Sequence, residues 1–250
     1  MNKSNIIMIH QPHFLPWPPY FIRALTADVL VILDDVKFNK DYYQNRTKLK
    51  DDRGVEFWFT IPVDHSTRSG LIKNVRVSDN FDMNKVRRAL LSRCSFLIGQ
   101  PIMDDLHKMI EENVKIADIN IKMITYIIRK ICETGEITPP KIVRNSTLFS
   151  EADMERTDRL IKICEAVECG HIIMGSGSQN SHETERIRRN GIKVTDANNH
   201  TDVFSSSVSI LQYFGQSFDI METICRLAKN ERDFLSGGVT DATLSFSACT

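Results

Sequence analysis

The sequence predicts an α/β fold built on a mostly parallel sheet, and two observations carry that expectation. Residues 5–9 (NIIMI) and 29–33 (VLVIL) are short apolar runs rich in Ile and Val. Polar and apolar residues do not alternate there, the pattern of strands covered on both faces in a parallel sheet. Between the runs, residues 18–27 suit a short helix: Tyr20, Phe21, Leu25 and Ala27 are apolar, and Pro18 and Pro19 are tolerated in a first turn. Strand, loop, helix and strand make a βαβ opening.

The later elements follow in order. VEFWFTIPV (55–63) predicts a third strand, and residues 74–77 a weaker one. The middle predicts helices over 82–93, 101–115 and 117–133, the last with Ile121, Ile124, Ile128 and Ile131 at helical spacing. A second α/β stretch comes next: strand 141–145 (KIVRN), helix 151–168, strand 171–175 (HIIMG), helix 182–190 and strand 192–197 (IKVTDA). A helix over about 207–228 closes the fold, and the aperiodic SGGVTDATLSFSACT (236–250) reads as a frayed tail. The expectation is one Rossmann-like α/β domain over residues 1–235, with flanking helices and a helical insertion near 80–135.

Bulk properties narrow the function classes. At 250 residues and 42% hydrophobic composition the chain can bury a full core. Lys plus Arg equals Asp plus Glu at 32 each, so no global field attracts nucleic acid or an anionic membrane. Six cysteines without a CxxC pair read as reduced thiols rather than a disulfide framework or zinc ribbon. With no signal-like start and no run of 18 apolar residues, a soluble cytoplasmic protein without a membrane span is expected.

Three stretches carry candidate chemistry. The first is HQPHFLPW (10–17). His10 follows the first strand directly, where ligands bind in open α/β sheets, and a neutral imidazole can orient a phosphate or serve as acid or base. His13 is the second candidate, and the prolines stiffen the loop; a purely structural turn is the plain alternative. The second stretch is LDDVKFNKDYYQNRTKLK (33–50). Asp34 and Asp35 end the second strand, and adjacent side chains point to opposite sides, so one of the two should face His10. That carboxylate could hold a ribose hydroxyl, a metal or a substrate amine. Arg46 suits a bidentate phosphate or carboxylate contact, whereas the lysines around it read as a solvated basic loop.

The third stretch is HIIMGSGSQNSHETERIRRNG (171–191). Gly175, Ser176, Gly177 and Ser178 form a strand-to-helix turn where a helix N-terminus could seat an anion, although a serine-capped turn of no function reads equally well. HExxH, GxSxG and Cys–His motifs are absent. HQPH lacks a third zinc ligand, so no protein metal site is expected; magnesium could arrive with a phosphate-bearing substrate. His65, His107 and His200 read as surface or structural residues.

HQPHFLPWPPYF, then AD, LDDVKF and NR, resembles the opening signature of the WbqC-like family, usually HQPxYLPWxGYF, AD, LDDVQFxK and NR. The matching positions are His10, Gln11, Pro12, Leu15, Pro16, Trp17, Tyr20, Phe21, Ala27, Asp28, Asp34, Asp35, Phe38, Asn45 and Arg46. TIPV (60–63), GSGS (175–178), NGIKV (190–194) and SIL (209–211) extend the likeness over nearly the whole chain. Pro19 stands where glycine is usual and Lys37 where glutamine is usual. The family's tyrosine after the glycine turn is missing, and VFSSSVSILQYF (203–214) departs from its late Pro/Gln and Leu-Asp pattern. These departures bear on a C-terminal substrate contact rather than on the fold.

The resemblance implies a place in bacterial O-antigen or other surface-polysaccharide assembly more firmly than it implies a reaction. It adds Gln11, Trp17, Tyr20 and Asn45 to Arg46 as substrate contacts. The leading expectation is a transferase acting on a nucleotide-linked sugar or an activated acyl or aminoacyl group. Its partners would be that small molecule, a second copy of the chain in a homodimer, or enzymes of the same pathway. Strand, HxxH loop and acid-ended strand are also analogous to the HxGH nucleotidyltransferases, so a magnesium-dependent enzyme using ATP or CTP is the first rival. A non-catalytic binder of a sugar nucleotide or of a pathway enzyme is the second.

Overall fold

The computed structural model describes residues 5–149, 154–175, 181–204, 208–214 and 219–237. The two apolar runs are strands β1 (Ile6–His10) and β2 (Val29–Ile32), joined through helix α1 (Pro18–Thr26). A hairpin of β3 (Arg46–Lys50) and β4 (Glu56–Thr60) follows, then α2 (Met83–Leu91), α3 (Pro101–Glu111) and α4 (Ile116–Gly135). The rest is β5 (Lys141–Arg144), α5 (Arg156–Ala166), β6 (His171–Met174), α6 (Ser181–Arg189), β7 (Lys193–Asp196) and α7 (Ile220–Leu235).

β1 pairs in parallel with β2, setting His10 beside Ile32, and with β6 on its other side. β5 adds outside β2 and β7 outside β6, giving the all-parallel order β5-β2-β1-β6-β7. The chain winds outward from β1 through β2 to β5, then returns to the far side of β1, the strand order of Rossmann-like doubly wound sheets. This reversal opens a crevice at the carboxyl ends of β1 and β6, where such sheets bind ligands.

Alternate residues of the apolar strands serve the two faces. Met8, Leu30 and Ile32 pack with Phe21, Ile22 and Leu25 of α1 and with residues of α4 and α7. Ile7, Val31 and Ile172 face the other way, onto Leu160 and Ile163 of α5 and Ile187 of α6. Each buried aliphatic side chain contributes about 1.5–3 kcal/mol, so neither face of the central strands tolerates a polar residue cheaply.

Three expectations change. Strand 55–63 shrinks to β4, which pairs antiparallel with β3 in a separate two-stranded sheet, Arg46 opposite Thr60 and Lys50 opposite Glu56. Its partner RTKLK reads as a basic loop because its outward positions are Arg and Lys, yet Thr47 and Leu49 are buried at the alternate positions, the period of a one-sided strand. Residues 74–77 are not a strand: a 3₁₀ turn spans Ile72–Asn74, and only the isolated bridges Val63–Val77 and Arg76–Lys115 follow. The single helix over 207–228 is instead a 3₁₀ turn, Ile210–Tyr213, and the later α7. Each has its own cap: Ser209 accepts from the Leu211 N–H, and Asp219 from those of Met221 and Glu222. The expected tail falls outside the described residues from 238 onward.

Candidate active-site cleft

β1 ends at His10 in the crevice, and the loop after it is held from three directions. Asn120, fully buried in α4, donates from Nδ2 to the carbonyls of Pro12 and Gln44, both at 2.7 Å. The Phe14 N–H donates to the Tyr43 carbonyl at 2.7 Å, and that of Ile210 to Pro16 at 2.9 Å. Leu15 sits in the left-handed region at φ 45°, a strain on the order of 1–2 kcal/mol for a branched residue. Its carbonyl accepts from Thr47 Oγ1 at 3.1 Å and Ser209 Oγ at 2.9 Å, so the hairpin and the late 3₁₀ turn hold the strained conformer.

His10 Nδ1 lies 3.0 Å from the Gln11 carbonyl oxygen, which can only accept. Nδ1 therefore carries the proton and Nε2 keeps its lone pair. The ring meets His13 edge-to-face at 4.5 Å and Tyr20 at 5.0 Å. Burial, with the nearby Arg23 charge, pushes the His10 pKa down from 6.5 to about 4, against a smaller opposing effect of the Gln11 bond. Burial lowers His13 well below its usual value too, with His10 and Arg23 adding to it. Both imidazoles are neutral at pH 7. Among the described residues His13 Nε2 and the Tyr20 hydroxyl are buried without hydrogen-bond partners.

Arg23 lies one helical turn beyond Tyr20 and is 4% exposed. Its Nε donates to the Pro19 carbonyl at 3.3 Å, and the guanidinium sits 5.8 Å from the centre of the Trp17 ring. Among the described residues no carboxylate pairs with it. Glu231, a nearby negative charge, accepts instead from His200 Nε2 at 2.6 Å and Thr26 Oγ1 at 3.4 Å.

The adjacent aspartates diverge. Asp34 is fully buried, with Oδ2 accepting from Arg144 Nε (2.7 Å) and Ser146 Oγ (2.8 Å) and Oδ1 from the Ser146 N–H (3.0 Å). It clamps the end of β2 to β5. Asp35 turns to the crevice, where Oδ1 accepts from Asn145 Nδ2 at 2.7 Å and Oδ2 from Arg159 Nη1 at 2.9 Å.

His10, His13, Arg23 and Asp35 border a cleft of about 1380 Å³, large enough for a ligand of nucleotide-sugar size. Of the residues singled out in the sequence, His10, Gln11, His13, Trp17, Asp35 and Gly175 line it. Asp34, Asn45 and Arg46 do not, and Tyr20 reaches it only through its contact with His10. Asn45 is spent on the hairpin, donating to the Ile61 carbonyl at 2.8 Å. Arg46 lies 4.2 Å over the Trp58 ring and bonds the Asp41 carbonyl, bracing the 39–43 loop. Ser176, Gly177 and Ser178 lie outside the described residues.

Arg23, Arg159 and Tyr42 line the cleft and went unread in the sequence. One signal was available: Arg23 is the only charge in residues 6–27, within a helix whose every residue is buried. Among the described residues no group of three His, Cys, Asp or Glu side chains is placed to hold a metal. No described helix is long and apolar enough to cross a membrane.

The sequence model of the WbqC-like protein family matches residues 11–228, from the residue after His10 to the middle of α7. The chain belongs to the WbqC-like protein family. It is also 25% identical, over 191 residues, to the uncharacterized protein Rv1507c of Mycobacterium tuberculosis, covering 75% of this chain and 78% of that one. The family match spans α1, β2, the hairpin, helices α2–α4 and every later strand, and β1 with His10 lies directly before it.

Proposed function

We propose that this WbqC-like protein is a cytoplasmic transferase of bacterial surface-polysaccharide (O-antigen) assembly, acting on a nucleotide-linked sugar or an activated acyl or aminoacyl group. The observation that carries this reading is His10, a neutral imidazole whose Nε2 has no hydrogen-bond partner among the described residues, at the switch point of a doubly wound sheet. In the proposed reaction Nε2 takes the proton from an acceptor hydroxyl or amine as that group attacks the activated carbon of the donor, and the bond from that carbon to its nucleotide or acyl carrier breaks, the carrier leaving with the electron pair. A base with a pKa near 4 is weak in the empty protein. A negatively charged donor beside Arg23 would cancel one cause of the depression and raise the pKa when substrate is present.

Asp35 is the acceptor contact in this reading. Each carboxylate oxygen keeps a lone pair beyond its bonds to Asn145 and Arg159, enough to receive a donor from the acceptor and orient it. Any magnesium would come with the phosphates of the donor. The test is product formation, followed by mass spectrometry, with panels of sugar nucleotides and acyl donors. Turnover that falls with His10→Gln supports the reading. Pyrophosphate release from a nucleoside triphosphate would replace it with nucleotidyl transfer, and tight binding without turnover would replace it with a binding role.

A further inference from the structure

We propose that Arg23 is the base of an oxyanion subsite inside the cleft, taking a phosphoryl or carboxylate group through its guanidinium. Arginine is rarely buried unless paired, because removing its charge from water is costly. Arg23 is 4% exposed, lines the cleft, and among the described residues has no ion-pair partner. Among the described residues its one side-chain hydrogen bond uses Nε, leaving both terminal nitrogens for a ligand in the fork geometry that matches two oxygens of a phosphate or carboxylate.

The surroundings are shaped to hold the guanidinium there. A Cβ at Gly175 would lie 2.6 Å from Arg23 Nη1, so the guanidinium holds its present position because that residue has no side chain to displace it. Backbone conformation does not demand the glycine, since its φ is outside the left-handed region. Trp17 packs near the guanidinium on one side, and His10 and His13, which contribute to the same cleft, are neutral and so do not compete for an anion. Glu231 could have neutralised the charge but is turned to His200 and Thr26. Among the described residues no carboxylate bonds the guanidinium, and in this proposal the ligand supplies that partner.

That the oxyanion belongs to the donor of a group transfer rests on the proposed function; the subsite itself does not. Titrating the full-length protein with inorganic phosphate and with acetate, by calorimetry and by NMR of the histidine rings, tests it. Saturable binding of phosphate or acetate is expected, and the tighter of the two names the chemistry. Arg23→Met, which keeps the apolar stem, should weaken that binding about 30-fold or more. It should not lower the melting temperature of the empty protein, because an unpaired charge has been removed. Gly175→Ala keeps the charge and should also weaken binding, by displacing the guanidinium. Absence of saturable binding to the wild type, or unchanged affinity in Arg23→Met, would overturn the subsite. A fall of several degrees in melting temperature in both Arg23→Met and Arg23→Lys would mark the arginine as structural and overturn it too. Intact phosphate binding with no turnover of any donor would count against the transferase reading and leave the subsite standing.

Discussion

The rings of His10 and His13 meet edge-to-face with centroids 4.5 Å apart, and neither carries a charge at neutral pH. Two imidazoles this close cannot both be protonated cheaply, and Arg23 beside them disfavours even one proton. At neutral pH the pair therefore cannot act as a general acid, and it takes up a proton only where a negative charge offsets Arg23.

Replacing His10 with Gln keeps a hydrogen-bonding tip and removes the base. Turnover should fall by roughly 10²-fold or more, with the melting temperature at pH 8 unchanged within error. A structural His10 would show the opposite: lower stability by about 1 kcal/mol and unaltered ligand binding.

Stability should fall on acidification through these histidines. Their folded pKa values are depressed, so above about pH 6.5 both folded and unfolded chains hold neutral imidazoles and the pair contributes no slope. Below pH 6.5 the unfolded chain takes up protons first, and for His10 the loss continues until the folded pKa near 4. Melting temperatures from pH 8 to pH 4 should drop more steeply for the wild type than for the His10→Gln, His13→Gln double variant. Equal slopes would show that other groups set the acid limit.

Asn120→Ala should be among the more damaging single changes outside the cleft. It removes the donors to two buried carbonyls, those of Pro12 and Gln44, which costs about 2 kcal/mol or more. Chemical denaturation measures that loss. Activity in the surviving folded protein should fall too, because the loop carrying His13 loses its anchor to α4.

Arg46→Ala should leave substrate affinity where it was. The side chain lies over Trp58 and supports the loop at Asp41, so the expected cost is about 1 kcal/mol of stability. A tenfold rise in Kd for a donor would return Arg46 to the site.

The two aspartates should separate by phenotype. Asp34→Ala breaks bonds to Arg144 and Ser146 and should lower stability by about 2–3 kcal/mol, less than for a wholly buried pair because Arg144 is partly exposed. Donor binding in the folded fraction should persist. Asp35→Asn, measured by the acceptor KM, should impair acceptor use, and it should cost stability too because Arg159 is buried with it. Identical profiles for the two variants would sink the division of labour.

The sequence by itself determined the parallel sheet, the βαβ opening and the placement of His10 at a strand's carboxyl end. Those features are written locally: unbroken Ile/Val runs need cover on both faces, and a polar loop directly after such a run falls at the sheet's edge. The signature residues from His10 to Arg46 likewise pointed to the family from their order and spacing. The tertiary structure alone decided which of them share the cleft. Asp34 and Asp35 are neighbours in sequence, yet one is claimed by Arg144 and the other by Arg159, partners 110 and 124 residues away. Leu15 keeps its left-handed backbone through Thr47 and Ser209, at separations of 32 and 194 residues. Arg46 is taken out of the cleft by Trp58 across the hairpin, and the Arg23 guanidinium keeps its place in it beside Gly175, which follows β6 and has no side chain to displace it. Periodicity and spacing register which face a residue occupies; which distant group satisfies a buried charge depends on how the layers close over it.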